Sequence, residues 1–220
     1  VRVVERDVRL LVLAVSAGSA DGWSYLGLGH AFVANMTGNT VLLGIAVFQN
    51  HGDLLHPAIA LCGYAAGAML GSAFTAGVQP GMLWSKAISW TLMLEALLLL
   101  AAGAGWATHA VNLNLLLGMV ALGVGLQSGA LVALKIPGVV TTYITGTWTT
   151  LLTGIVRFAR KQPKPDQQAE ERMELQAGVL AAYFLSAVLT GWLFRHFALA
   201  AGALPALSLL IVAVHGIVRG

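Results

Sequence analysis

Long apolar runs, each interrupted by only a few polar residues, recur along the whole chain: from about 8 to 29, 30 to 50, 56 to 78, 86 to 105, 111 to 134, 138 to 158, 176 to 198 and 202 to 218. Most approach the roughly 20 residues that an α-helix needs to cross the hydrocarbon of a bilayer. The pattern predicts one all-α polytopic domain over residues 1–220, with six to eight membrane segments and no separate soluble domain. Gaps are short except at RFARKQPKPDQQAEERMEL (157 to 175), which is charged and Pro-bearing and reads as a solvated, cytoplasmic basic loop. The first run follows early arginines and contains AGSA, as a cleaved leader would. Glu5 and Asp7 in the charged region argue instead for a retained first span.

The second run departs from a plain membrane helix. HAFVANMTGNTVLLG (30 to 44) gathers two Asn, two Thr and a Gly within six positions, where a helix in lipid would leave side chains seeking partners and Gly38 would weaken it. Irregular backbone at membrane depth survives only where protein buries it or water reaches it. We therefore expect residues 31 to 37 to descend extended for about 20 Å. A helix starting near Gly38 then runs back out for about 18 Å. The β-branched GVVTTYIT (138 to 145) suggests the same strand-then-helix shape further on.

Those two places are also related by pattern. VANMTGNTVLLGI (33 to 45) lies over TTYITGTWTTLLT (141 to 153), with the Thr-Gly pairs 108 residues apart. Gly63, Gly67 and Gly71 form a ladder of small residues, and Gly178, Ala182 and Ser186 form another 115 residues later. Small residues four apart let helices approach closely in lipid, so the ladders serve packing within the chain or across a homodimer. The order of features predicts two structural repeats, about 8–105 and 111–218, each with a broken or re-entrant element. Three net crossings per repeat would make the copies inverted, with ten basic residues on the side of the N-terminus, Arg195 alone opposite and Lys135 held at depth. Four crossings give nine against three, and both agree with the excess of Lys and Arg on cytoplasmic faces.

Two broken helices facing each other at mid-depth would build a binding site from backbone. The first N–H groups of a helix lack internal partners and carry the positive end of its dipole. Broken helices at matching positions of two repeats are the sequence feature that points to a transporter's site. The candidate solute-binding residues are Asn35, Thr37, Gly38, Asn39, Thr145, Gly146 and Thr147, with Gln127 and Ser128 as polar wall residues near the second-copy equivalent of Asp21. The alternative is that these Thr and Asn side chains only join neighbouring helices.

Composition sharpens the picture. The chain is 58% hydrophobic and 10% charged, with a net charge of +3 and a mean hydropathy of +0.81, so a positive balance here speaks for segment ends rather than for nucleic acid. The single Cys62 excludes an internal disulfide. His51 and His56 lack a third ligand at metal-binding spacing, no cofactor motif is present, and no nucleophile elbow, phosphate loop or HExxH helix favours an enzyme. Three ionisable residues lie in apolar surroundings, where they are costly and so candidates for proton or ion coupling: Asp21, Glu95 and Lys135. Asp21 either faces the cavity and binds a proton or cation, or forms a static ion pair with Lys135. Glu95 either bonds a neighbouring helix or meets the solute.

AGSADGWSYLGLGHAFVANMTGNTVLLG and GLQSGALVALKIPGVVTTYITGTWTTLLTG, in that order, resemble the YoaK-like family, bacterial inner-membrane proteins classed as a domain of unknown function. The resemblance covers nearly the whole chain and implies a small multi-pass protein of the cytoplasmic membrane, with no substrate attached to the family. ALVALK after Gln127 departs from it, since relatives carry more basic residues there. The strand-then-helix outline is also similar to that of sulfate permeases and nucleobase symporters, a likeness of fold that does not fix the cargo. The expected function is secondary transport of a small anionic or polar solute, with proton coupling as an option. The competing reading is a non-transporting membrane scaffold or assembly protein.

Overall fold

A computed structural model describes residues 5–49, 53–79, 82, 84–134, 144–160 and 167–219. Among them run eight α-helices: α1 (Glu5–Gly27), α2 (Met36–Ala46), α3 (Leu55–Phe74), α4 (Lys86–Thr108), α5 (Leu113–Leu131), α6 (Ile144–Ala159), α7 (Gln167–His196) and α8 (Ala198–Arg219), with a 3-10 turn, Val132–Leu134, closing α5. No strand occurs among the described residues. Helices α3, α4, α5, α7 and α8 are long and apolar enough to cross a membrane. Helix α1 matches α4 in length, at 23 residues, but carries Glu5, Arg6, Asp7, Arg9 and Asp21. Several helices start where a short polar side chain takes up their free N–H groups. Ser85 accepts from Ala87 N at 3.2 Å, Asn112 from Asn114 N at 2.8 Å, and Asp53 from Leu55 N at 3.1 Å.

Two expectations change. The run over 30–50 contains turns and bends as far as Asn35 and a helix from Met36, so 31–37 is not a strand and the helix begins before Gly38. The physical reason is local: Asn35 Oδ1 accepts from Gly38 N at 3.1 Å and caps the helix, while side chains rather than a neighbouring strand satisfy the preceding backbone. Residues 138–143, where the second such element is expected, lie outside the described residues. The basic segment 157–175 is helical at both ends, since α6 continues to Ala159 and α7 begins at Gln167. Residues 169–174, rich in Ala, Glu and Arg that favour helix, are mostly exposed and extend α7 beyond its apolar stretch.

The bundle is assembled by long-range pairs. Helix α3 packs along α5, α1 along α7 and α4 along α8, while α4 also meets α5, α1 meets α8, α2 lies on α3 and α6 lies on α7. Exchanging α1 with α5, α2 with α6, α3 with α7 and α4 with α8 turns α4–α8 into itself and each of the other pairs into another of them.

Glycines set the closest approaches. A Cβ on Gly67 would lie 2.0 Å from Leu122 O and one on Gly71 2.2 Å from Leu126 O. From the other side, a Cβ on Gly125 would lie 2.3 Å from Tyr64 O and one on Gly129 2.0 Å from Ala68 O. The first ladder is thus an internal seam between α3 and α5. On the matching pair, Gly18 of α1 sits over Tyr183 O and Ser186 Oγ of α7.

The two ends of the bundle are marked by different contacts. At one, Trp106 Nε1 donates to Gly27 O at 3.2 Å and its ring meets Phe194 at 5.9 Å, so α1, α4 and α7 all finish there. At the other, Arg219 donates to Glu5 at 3.1 Å. The buried Arg9 lies 4.8 Å from the Trp84 ring and donates to His215 Nδ1 at 3.4 Å. Helices α1 and α4 begin at this second end and α8 finishes there.

Candidate functional site

Asp21 organises the first Thr-Gly block. It is 4% exposed, and its Oδ1 accepts from Val33 N at 2.7 Å, Ala34 N at 2.6 Å and Asn35 N at 3.4 Å. Its Oδ2 accepts from Tyr183 Oη of α7. One carboxylate on α1 therefore holds both the entry to α2 and a neighbouring helix. Asn39, fully buried, closes the same loop from the other side: its Oδ1 accepts from Phe32 N at 2.9 Å and its Nδ2 donates to Phe32 O at 2.6 Å. Tyr25 stacks on Phe32 at 5.0 Å. Gly29, at φ +100°, passes so close under His56 of α3 that a Cβ would lie 2.5 Å from its ring. Asn39→Ala removes both clamps on Phe32 and is expected to cost about 2 kcal/mol, the scale of leaving a peptide's donor and acceptor unpaired. Thermal unfolding of the purified protein against wild type measures it.

The donors at the start of α2 are therefore largely spoken for. Asp21 takes Val33 and Ala34, Met36 N donates to Ala34 O at 3.1 Å, and Asn35 takes Gly38 N. In the first turn, Thr37 N has no partner among the described residues. The expected pair of unsaturated helix starts reduces, at α2, to one amide beside the Thr37 side chain.

A cavity of about 420 Å³ lies against this point. Ala34, Asn35, Met36 and Thr37 come from the entry to α2, and Ile144 and Thr145 from the first turn of α6. Tyr64, Ala68 and Ser72 of α3, Ser128, Gly129 and Val132 at the end of α5, and Tyr183 of α7 complete its wall. Thr37 and Thr145, equivalent by sequence pattern, thus line one space.

The remaining candidates are placed differently. Gly38 is half-buried, and a Cβ there would lie 2.9 Å from the Asn35 side chain. Gly146 accepts from Thr150 Oγ1 at 2.9 Å within α6, and Thr147 is buried. Gln127 is buried one residue before Ser128, whose Oγ donates to Val124 O at 3.0 Å. Glu95 is buried between α4 and α5, where a Cβ on Gly123 would lie 3.3 Å from its Cγ, and it does not line the cavity. Lys135 lies outside the described residues, and with it the proposed ion pair. Both carboxylate oxygens of Asp21 are otherwise engaged.

Tyr183, Tyr64 and Ser72 escaped the sequence reading. A signal for Tyr183 existed, because it sits within the second ladder, beside Ala182 and before Ser186, as a hydroxyl-bearing ring on a packing face. Tyr64 follows Gly63 in the same way.

The family model described as protein of unknown function (DUF1275) matches residues 9–215. The UPF0700 transmembrane protein YoaK of Bacillus subtilis (strain 168) is 34% identical over 163 residues, which span 72% of each chain. No solved structure matches.

Proposed function

The chain belongs to the family described as protein of unknown function, DUF1275, and from that premise we propose that it is a secondary transporter of a small polar solute. The observation that carries the reading is the cavity touched by both Thr-Gly blocks. Its volume is within the range of small-molecule sites, whose walls combine apolar surface with a few placed polar groups.

The exchange symmetry of the helix pairs supports two copies inverted across the membrane. In this reading α1, α3, α4, α5, α7 and α8 cross it, with α2 and α6 as re-entrant half-helices. Helix α2, at 11 residues, spans about 16 Å, roughly half the hydrocarbon. Its entry is tied to Asp21, well before the end of α1, and it leads to α3, whose His56 covers Gly29 just after α1. Such a path goes in and returns to the same side. The excess of Arg and Lys then puts the ends of the chain on the cytoplasmic face of a bacterial inner membrane.

The Asp21 carboxylate already faces the positive end of α2, so a further anion gains little there and the neutral polar class is favoured. The scaffold reading has both ladders of small residues serve dimer packing, but α5 lies against Gly67 and Gly71, and α1 lies against Gly178 and Ser186. The test is uptake by reconstituted vesicles of a panel of small neutral polar and small anionic solutes. Thr37→Val combined with Thr145→Val is expected to lower uptake about tenfold or more while the protein still folds, since each removes a hydrogen bond worth about 1 kcal/mol. A panel in which nothing crosses, or a double variant that transports like wild type, refutes the proposal.

A further inference from the structure

Two carboxyl groups lie deep in the bundle, and their surroundings are opposite. Asp21 accepts from three backbone amides and from the Tyr183 hydroxyl, an environment built for a carboxylate. Glu95, near the middle of α4, is 0% exposed, and neither of its carboxyl oxygens has a hydrogen-bond partner among the described residues.

Among the described residues, the elements packed on α4 supply no counter-charge. Helix α5 has no ionisable residue, and opposite Glu95 it presents Gly123, whose missing side chain leaves the space that the Glu95 stem occupies. On α8, His215 pairs with Arg9 and Arg219 with Glu5, at the end of the bundle. On α3, which touches α4 only lightly, His56 is held by Asp53, Cys62 is exposed and Tyr64 faces the cavity. The one cation of α4 itself, Lys86, is its first residue. An ionised carboxylate with no partner is costly inside a protein and more so in a bilayer. One bound proton removes the charge.

We propose that Glu95 is the proton-binding residue of this protein and Asp21 a structural latch, the reverse of what their positions in the sequence suggest. One helical turn beyond Gly123 on α5 stand Gln127 and Ser128, and Ser128 lines the cavity. The way from Glu95 to the solute space thus runs along polar positions of a single helix. A shift of α5 against α4 that opens this way lets the acid give its proton to water as the solute leaves. No redox partner is required.

The coupling role rests on the transporter reading, but the protonation does not, and the experiments separate the two. Infrared difference spectra of the purified protein in lipid at neutral pH are expected to contain the carbonyl stretch of a protonated acid. That band is lost in Glu95→Gln, shifted in Glu95→Asp and kept in Asp21→Asn. Its absence from wild type, or its loss in Asp21→Asn alone, overturns the assignment. Glu95→Gln carries a neutral group of the same shape and is expected to melt with wild type; a large drop would show that the charged form is the native one and also overturns it. In vesicles, a solute found by the uptake panel should lose pH-driven accumulation in Glu95→Gln while exchange persists. Accumulation unchanged in that variant ends the coupling role, whereas a panel with no transported solute refutes the transporter and leaves the infrared result standing.

Discussion

Asp21→Ala is expected to lose about 3–5 kcal/mol of stability, the range for breaking a buried charged network by deleting one partner. The substitution strands Val33 N, Ala34 N and the Tyr183 hydroxyl at once, all buried or part-buried. Each such orphan costs about 1–3 kcal/mol, and the sum falls below a simple total because the loop can relax. Asp21→Asn retains an acceptor for the two short amide bonds and an amide that can face the tyrosine oxygen, so about 1–2 kcal/mol is expected from lost charge assistance. Tyr183→Phe removes a single partner and belongs with the Asn variant. Thermal melting of the three variants in one detergent gives the ranking. If Asp21→Ala melts alongside wild type, Asp21 does not hold the entry to α2.

Gly67→Ala and Gly129→Ala should each unsettle the seam between α3 and α5 by about 3 kcal/mol, the upper part of the usual overpacking range. A methyl on Gly67 meets Leu122 O at 2.0 Å, and one on Gly129 meets Ala68 O at 2.0 Å, and neither carbonyl can rotate away inside a helix. The helices must separate, and separation loosens the cavity wall that Ala68, Ser72, Ser128 and Gly129 share. Gly44→Ala and Gly191→Ala are the internal controls, because nothing lies within 4 Å of the added methyl at either. There the greater helix propensity of Ala should stabilise by about 0.5–1 kcal/mol. Equal effects at all four sites would mean that close approach of the backbones is not what these glycines provide.

The long helices were legible because lipid imposes a single length and a single satisfied backbone form on the chain. The break near Gly38 was legible for the same reason, since Asn35, Thr37 and Asn39 had no sensible place along an uninterrupted membrane rod. What the break does locally was harder to read. Asp21 lies 12 residues before Val33, and nothing in the spacing says that its carboxylate would take up amides expected to await a solute. Nor could Tyr183 be assigned to Asp21 across 162 residues, because that contact exists only once α1 lies along α7. The extended entry fails as a strand for a related reason: its polar residues and Gly38 suggest a break from helix, whereas Asn39 and Asp21 hold the backbone there bent. The charged end of α7 reads as solvated loop yet is helical, because Ala, Glu and Arg favour helix in water.

Glu5 and Arg219, the first and last residues described on α1 and α8, touch. The start of α1 and the end of α8 are therefore neighbours, and a short linker could join those two positions into a ring. The ring could then be reopened at Arg160, just past the end of α6. A rearranged protein of that kind would begin with α7 and finish with α6, yet every packing partner would be kept, so whether it still inserts and melts like the original would tell how far the order of synthesis, rather than the final set of neighbours, decides the architecture.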